Sequence, residues 1–211
     1  MRRRRRSDEP ELDPEADGPA VEGPRAHGPW DATELRVDEN DESRAHLGAI
    51  SVAGHPDLEL RLQVDEGSGQ VAALLLVAAD GAMELRPFAA PRNEDLWGDI
   101  RTELAAEAGR RGGTATEVEG PYGTALHMVV PAVGPDGQQV QQPSTVLGIT
   151  GPRWLLRVSM FGRPAVEYRP DALLESALRS VVVDRGTGPM APGEPLPLVL
   201  PAGAQQLPPP P

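Results

Sequence analysis

One stretch limits the possible folds more than any other: Thr145–Phe161, TVLGITGPRWLLRVSMF. Two runs of large apolar and β-branched residues flank Gly151-Pro152, the pattern of a β-hairpin with a two-residue turn. A turn centred on Gly151-Pro152 sets Ile149 opposite Trp154, Leu147 opposite Leu156 and Thr145 opposite Val158. Side chains alternate along a strand, so one face of this hairpin collects Leu147, Ile149, Trp154, Leu156, Val158 and Met160. Burying each large side chain is worth roughly 1.5–3 kcal/mol, so this face must be covered. The opposite face carries Val146, Gly148, Thr150, Arg153, Leu155, Arg157 and Ser159. It is mixed, and it places two guanidinium groups on one strand.

The rest of the chain supplies the cover. Leu58, Leu60, Leu62 and Val64 alternate with polar residues, Val71–Ala78 is a continuous apolar strand, and Asp80-Gly81 turns the chain into Met83–Phe88. Leu96, Ile100, Leu104 and Ala108 recur at helical spacing with Trp97 beside them, after Asn93 as the expected N-cap. Thr114–Val118 and Thr124–Val130 form a further hairpin across Gly120–Gly123. Leu173, Leu174, Ala177, Leu178, Val181 and Val182 lay down a second helical stripe, with Glu175 and Arg179 paired at i,i+4 and Gly186 as the stop. Two amphipathic helices and about eight strands predict a single α+β domain. Its expected form is a mostly antiparallel sheet with both helices packed on one face. Trp154 and Trp97 are its expected anchors.

Composition sets the boundaries. From Ser7 to Ser43 there are thirteen acids against Arg25 and Arg36, so residues 1–46 read as a disordered acidic arm with an Arg-rich start. Residues 47–186 form the domain, and 187–211 a Pro-rich tail in which Leu196, Leu198 and Leu200 lie along it. All 20 basic residues are Arg, and the net charge of −12 argues against a general nucleic-acid binder. Weak contact by Arg2, Arg3, Arg4, Arg5 and Arg6 with an anionic surface is the one exception. The longest apolar run, Val71–Ala79, is too short to span a bilayer, and Ser7-Asp8-Glu9-Pro10 stands where an export signal needs apolar residues. A cytoplasmic protein is expected. The absence of Cys removes thiolate zinc sites and thiol nucleophiles.

Candidate chemistry is sparse. Asp95, Asp99, Glu103 and Glu107 form an acidic ridge along the first helix, which reads as a solvated face. His27, His46, His55 and His127 have no partners at metal-ligand spacing, so neither a metal nor a cofactor is expected. His127 alone falls inside a strand, where a partly buried, hydrogen-bonded imidazole is the expectation. Arg153 and Arg157 are the candidate binding residues, suited to bidentate contact with carboxylate or phosphate.

Four phrases carry a family resemblance: APRNEDLWGDIR (Ala90–Arg101), RGGTATEVEGPYGTAL (Arg111–Leu126), GITGPRWLLRV (Gly148–Val158) and PMAPGEPLPLVLP (Pro189–Pro201). On them the region from about Leu47 to Pro201 resembles an actinobacterial family, domain of unknown function 3710. The resemblance implies no assigned activity. The family pattern implies an acid after the Gly-Thr of the earlier hairpin and before the later Gly-Pro. Ala125 and Thr150 stand there instead, which counts against catalysis. The leading expectation is thus a non-enzymatic binding or adaptor module with a protein partner. The alternative is a small Mg²⁺-dependent nucleotide or phosphate-ester hydrolase working from the acidic ridge.

Overall fold

The computed structural model describes residues 23–92, 94–134 and 136–201. Arg2–Arg6, the proposed cap Asn93 and the last ten residues lie outside them. Order starts earlier than the composition suggests. The segment expected to be unstructured to residue 46 already contains β1 (Trp30–Asp31) and β2 (Arg44–His46). These join β3 (Ile50–Ala53) and β11 (Val182–Val183) in a four-stranded sheet of order β1-β11-β3-β2. The second sheet has seven strands, all antiparallel: β4 (Glu59–Val64), β5 (Val71–Ala78), β6 (Gly81–Ala89), β10 (Trp154–Gly162), β9 (Gln139–Gly151), β8 (Gly123–Val133) and β7 (Thr114–Gly120), in that spatial order. The mixed α+β class and the antiparallel sheet are those read from the sequence.

The helices differ from expectation in placement. Helix α1 (Leu96–Arg110) packs on β7, β8 and β9, where Trp97 meets Val146 and Leu155 with Leu96, Ile100, Leu104 and Met128 around them. Helix α2 (Leu173–Ser180) sends Leu174, Ala177 and Leu178 into the other face, among Leu147, Ile149, Trp154, Leu156 and Val158. The two helices therefore cover opposite faces of the large sheet. The reason lies in β10 itself: its odd-numbered residue Leu155 is as apolar as its even-numbered ones, so both faces need cover. Helix α2 is also shorter than its stripe. Val181 stays buried beyond the helix end, while Val182 and Val183 pair with β1 and β3, because β-branched residues fit a sheet between two strands.

Helix α1 begins where Asp95 accepts a hydrogen bond from the Gly98 amide at 2.9 Å. It ends in a Schellman motif: Gly112 takes φ 75°, and the Gly113 amide donates to the Ala108 carbonyl at 2.8 Å.

The Thr145–Phe161 hairpin keeps its two predicted faces but shifts its turn. Trp154 pairs with Gly151, Leu156 with Ile149 and Val158 with Leu147, so Pro152-Arg153 forms the turn. Pairing moves by two residues, which leaves every strand side chain on its expected face but takes Arg153 off the strand and into the turn. The cause is steric. Any Cβ on Gly151 would collide with the Trp154 indole, so this glycine is needed in the strand as a bed for that ring. Arg153 then takes the positive φ of 61° that the turn requires. On the opposite face, Gly148 makes the same room for the Trp97 indole. Trp154 is fully buried and donates Nε1–H to Asp31 Oδ2 at 2.7 Å, which ties β1 to the hairpin. Residues 187–201 are no free tail either: Leu196 and Leu198 are buried in the α2-side core.

Replacing Gly148 by Ala is expected to destabilise the fold by about 1–3 kcal/mol, because the Trp97 ring must leave its bed. Urea unfolding followed by tryptophan fluorescence measures this as a lower midpoint with an unchanged slope. A midpoint equal to that of the wild type would contradict it.

Candidate functional site

The residues proposed from sequence do not converge. Arg153 is exposed in the turn, whereas Arg157 lies within β10, its guanidinium 5.6 Å from the Phe88 ring centroid and 3.8 Å from Glu84. Burial, then the neighbouring charge of Arg86, pulls the Arg157 pKa below its ordinary value. Its Nε is buried without a hydrogen-bond partner. The acidic ridge of α1 is exposed along its length. Asp95 is occupied as the helix cap, and Glu107 pairs with Arg110 at 2.6 Å. Among the described residues, no group of three or more His, Asp or Glu is placed to hold a metal ion. The anchors Trp97 and Trp154 are both buried, one on each face of the sheet.

A cavity of about 420 Å³ opens on the α2 face. Its floor is the sheet, where Ala125 and His127 of β8, Thr145 and Leu147 of β9 and Met160 of β10 lie side by side. One wall is the 3₁₀ turn Arg163–Ala165 with the residues to Tyr168. The rim above is the β7–β8 turn, Pro121-Tyr122 between paired Gly120 and Gly123. The walls are mostly apolar, and the size falls in the range of small-molecule sites.

Its polar groups are few and fixed. Glu175, on the first turn of α2, is only 4 % exposed. Its Oε1 accepts from the Tyr122 hydroxyl at 2.7 Å, from Arg179 Nε at 3.0 Å and from the Tyr168 hydroxyl at 3.3 Å. Arg179 in turn donates to the Tyr168 oxygen at 3.2 Å. Burial, then the hydrogen bond to Glu175, drives the Tyr122 pKa far above the ordinary phenol value. Burial and the Glu175 charge raise that of Tyr168 as well. Both hydroxyls are therefore neutral donors at physiological pH. Across the floor, His127 Nδ1 lies 3.1 Å from Thr145 Oγ1, and Thr145 donates its own proton to the Ala165 carbonyl at 2.6 Å.

Sequence reasoning found the Glu175–Arg179 pair and the hydrogen-bonded state of His127, but it missed Tyr122, Tyr168, Thr145 and the cavity. A signal existed for Glu175, a carboxylate set directly among Leu174, Ala177 and Leu178 on the buried side of its helix. Tyr122 lies in a turn and Tyr168 in an irregular stretch, and their convergence on Glu175 depends on contacts 53 and 7 residues away in sequence.

A family model described as protein of unknown function (DUF3710) matches residues 28–207. The chain belongs to that family. The match takes in the β1 segment that the Trp154–Asp31 bond ties down. No curated protein matches. Among solved structures, this chain is similar to the solution structure of PsbP (CyanoP) from the cyanobacterium Synechocystis sp. PCC 6803. That likeness has a TM-score of 0.36 and 8 % identity, over 71 % of this chain and 98 % of the other. No helix is long and apolar enough to cross a membrane among the described residues.

Replacing Tyr122 by Phe removes a hydrogen bond to a charged group and is expected to cost about 1.5–3 kcal/mol at neutral pH. The raised Tyr122 pKa means that the folded state holds the phenol proton more tightly than the unfolded state does. Its contribution is complete below pH 10.0, the ordinary phenol value, and is lost as pH rises above it. Thermal unfolding between neutral pH and pH 11 is expected to show a steeper alkaline loss in the wild type than in Tyr122→Phe. Parallel curves would contradict the assignment.

Proposed function

We propose that this DUF3710 domain is a binding module, not a catalyst, and that the cavity beneath the Tyr122 turn is its seat. The occupant is a small molecule with a largely apolar body. The observation that carries this reading is the pairing of a roomy apolar cavity with a buried carboxylate. Three neighbours hold Glu175 in place, which suits a group that orients a ligand. The position of Ala125 on the cavity floor supports it further, since a small side chain there leaves the space open.

The test uses N-phenylnaphthylamine, a neutral apolar dye whose emission rises in dry surroundings. The wild type is expected to bind it with enhanced, blue-shifted emission. Ala125→Leu, which fills the floor, is expected to weaken binding about tenfold or more while still unfolding cooperatively. Equal binding by the two proteins, or none by the wild type, would remove the cavity as the seat.

A second reading has one specific observation in its favour. The Arg157 guanidinium lies on the sheet face opposite the cavity with part of its side chain still exposed and Glu84 at 3.8 Å, and a carboxylate from a protein partner fits its open edge. On this reading, Arg153→Ala/Arg157→Ala lowers recovery of a partner in pull-down from cell extract, and unchanged recovery rules that face out.

A further inference from the structure

The side-chain polar atoms left over in the cavity are all of one kind. Thr145 has a single hydroxyl proton, and it goes to the Ala165 carbonyl, which can only accept. The short contact from His127 must therefore run the other way, with Nδ1–H donating to Thr145 Oγ1. In the neutral ring this fixes the tautomer and leaves Nε2 as a lone-pair acceptor. At Glu175, Oε1 takes all three protein donors, while Oε2 has no hydrogen-bond partner among the described residues. The Tyr122 proton points to Glu175, so its oxygen also has only lone pairs to offer. Pro121 and Pro164 in the walls bring no amide N–H. Glu167 adds a carboxylate to the wall, where it accepts from Arg163, while the Glu119 carboxylate turns away to accept from Thr124 on the α1 side of the sheet.

We infer that the ligand of this cavity carries a non-anionic, hydrogen-bond-donating head, a hydroxyl or an ammonium, on an apolar body, and that Glu175 Oε2 and His127 Nε2 receive it. This rests on the reading of the cavity as a binding seat and adds the chemistry of its occupant. A donor head satisfies acceptors that would otherwise lose water without replacement. An ether or ketone of the same shape offers them nothing. An anionic head meets the carboxylates of Glu175 and Glu167 and is repelled. Discrimination therefore works by mismatch as much as by attraction.

Four probes of one shape test this: phenylbutanol, phenylbutylamine, phenylbutyl methyl ether and phenylbutanoate. Each is titrated calorimetrically into the full chain near neutral pH and also competed against N-phenylnaphthylamine. The alcohol and the amine are expected to bind and displace the dye, with the ether about tenfold weaker and the carboxylate without measurable binding. His127→Phe, which keeps a flat ring on the floor, is expected to narrow the gap between alcohol and ether by severalfold. Ala125→Leu is expected to lose every probe. Equal binding of alcohol and ether, or tightest binding by the carboxylate, overturns the donor-head assignment while the cavity remains the seat. Dye binding that no probe displaces overturns it in the same way. Probe binding that persists unchanged in Ala125→Leu overturns the seat itself, and failure of the dye and of every probe to bind overturns both.

Discussion

The Trp154 indole lying on the bare backbone of Gly151 is the contact from which the rest of the domain takes its arrangement. Nothing larger than glycine fits there, so the residue expected in the turn is drawn into the strand. The turn passes to Pro152-Arg153. The indole nitrogen cannot be left dry, and Asp31 meets it. Asp31 is itself buried and also accepts from the amide and hydroxyl of Thr33, at 2.8 and 2.6 Å. Arg25 lies over the same ring at 5.3 Å and grips both oxygens of Glu34 at 2.8 Å. A single aromatic side chain thus fastens the acidic segment around Asp31 to the centre of the sheet.

That attachment explains which parts of the fold were legible. Strands with clean alternation, such as Leu58–Val64, and helices with a regular apolar stripe declare themselves through burial periodicity. Residues 23–46 are held by Asp31, Glu34, Thr33 and Arg25, residues that composition counts against order. Polar attachment leaves no periodic trace. The reach of α2 was overread for a related cause: Val181–Val183 continue the apolar spacing, yet the gap between β1 and β3 claims Val182 and Val183 for a sheet. The shared-face expectation for the helices failed at Leu155, whose apolar side chain was counted as part of a mixed surface.

The site was less legible than the fold, and the reason is geometric. Arg153 and Arg157 looked paired only because the turn was placed one residue early in the chain. With Arg153 in the turn, one guanidinium remains on the strand. The groups that do converge come from a hairpin turn, a 3₁₀ segment, a helix and the sheet floor, four elements with no common spacing. Glu175 could be flagged as a charge on a buried stripe, but its three donors could not. Acidic composition also hid the point, since one carboxylate among 32 Asp and Glu residues draws no notice until its burial is known.

The adjacency of Trp154 and Leu155 has a consequence for how β10 finds its place. The two are chain neighbours that serve different cores, the indole toward α2 and the leucine toward α1. A slip of one residue would turn the Arg157 guanidinium into the α2-side core and leave the indole without Asp31. On the other side, the ring would crowd the space already taken by Trp97. Misaligned β10 is thus penalised twice over, once on each side of the sheet, so the strand proofreads its own alignment without help from any distant segment.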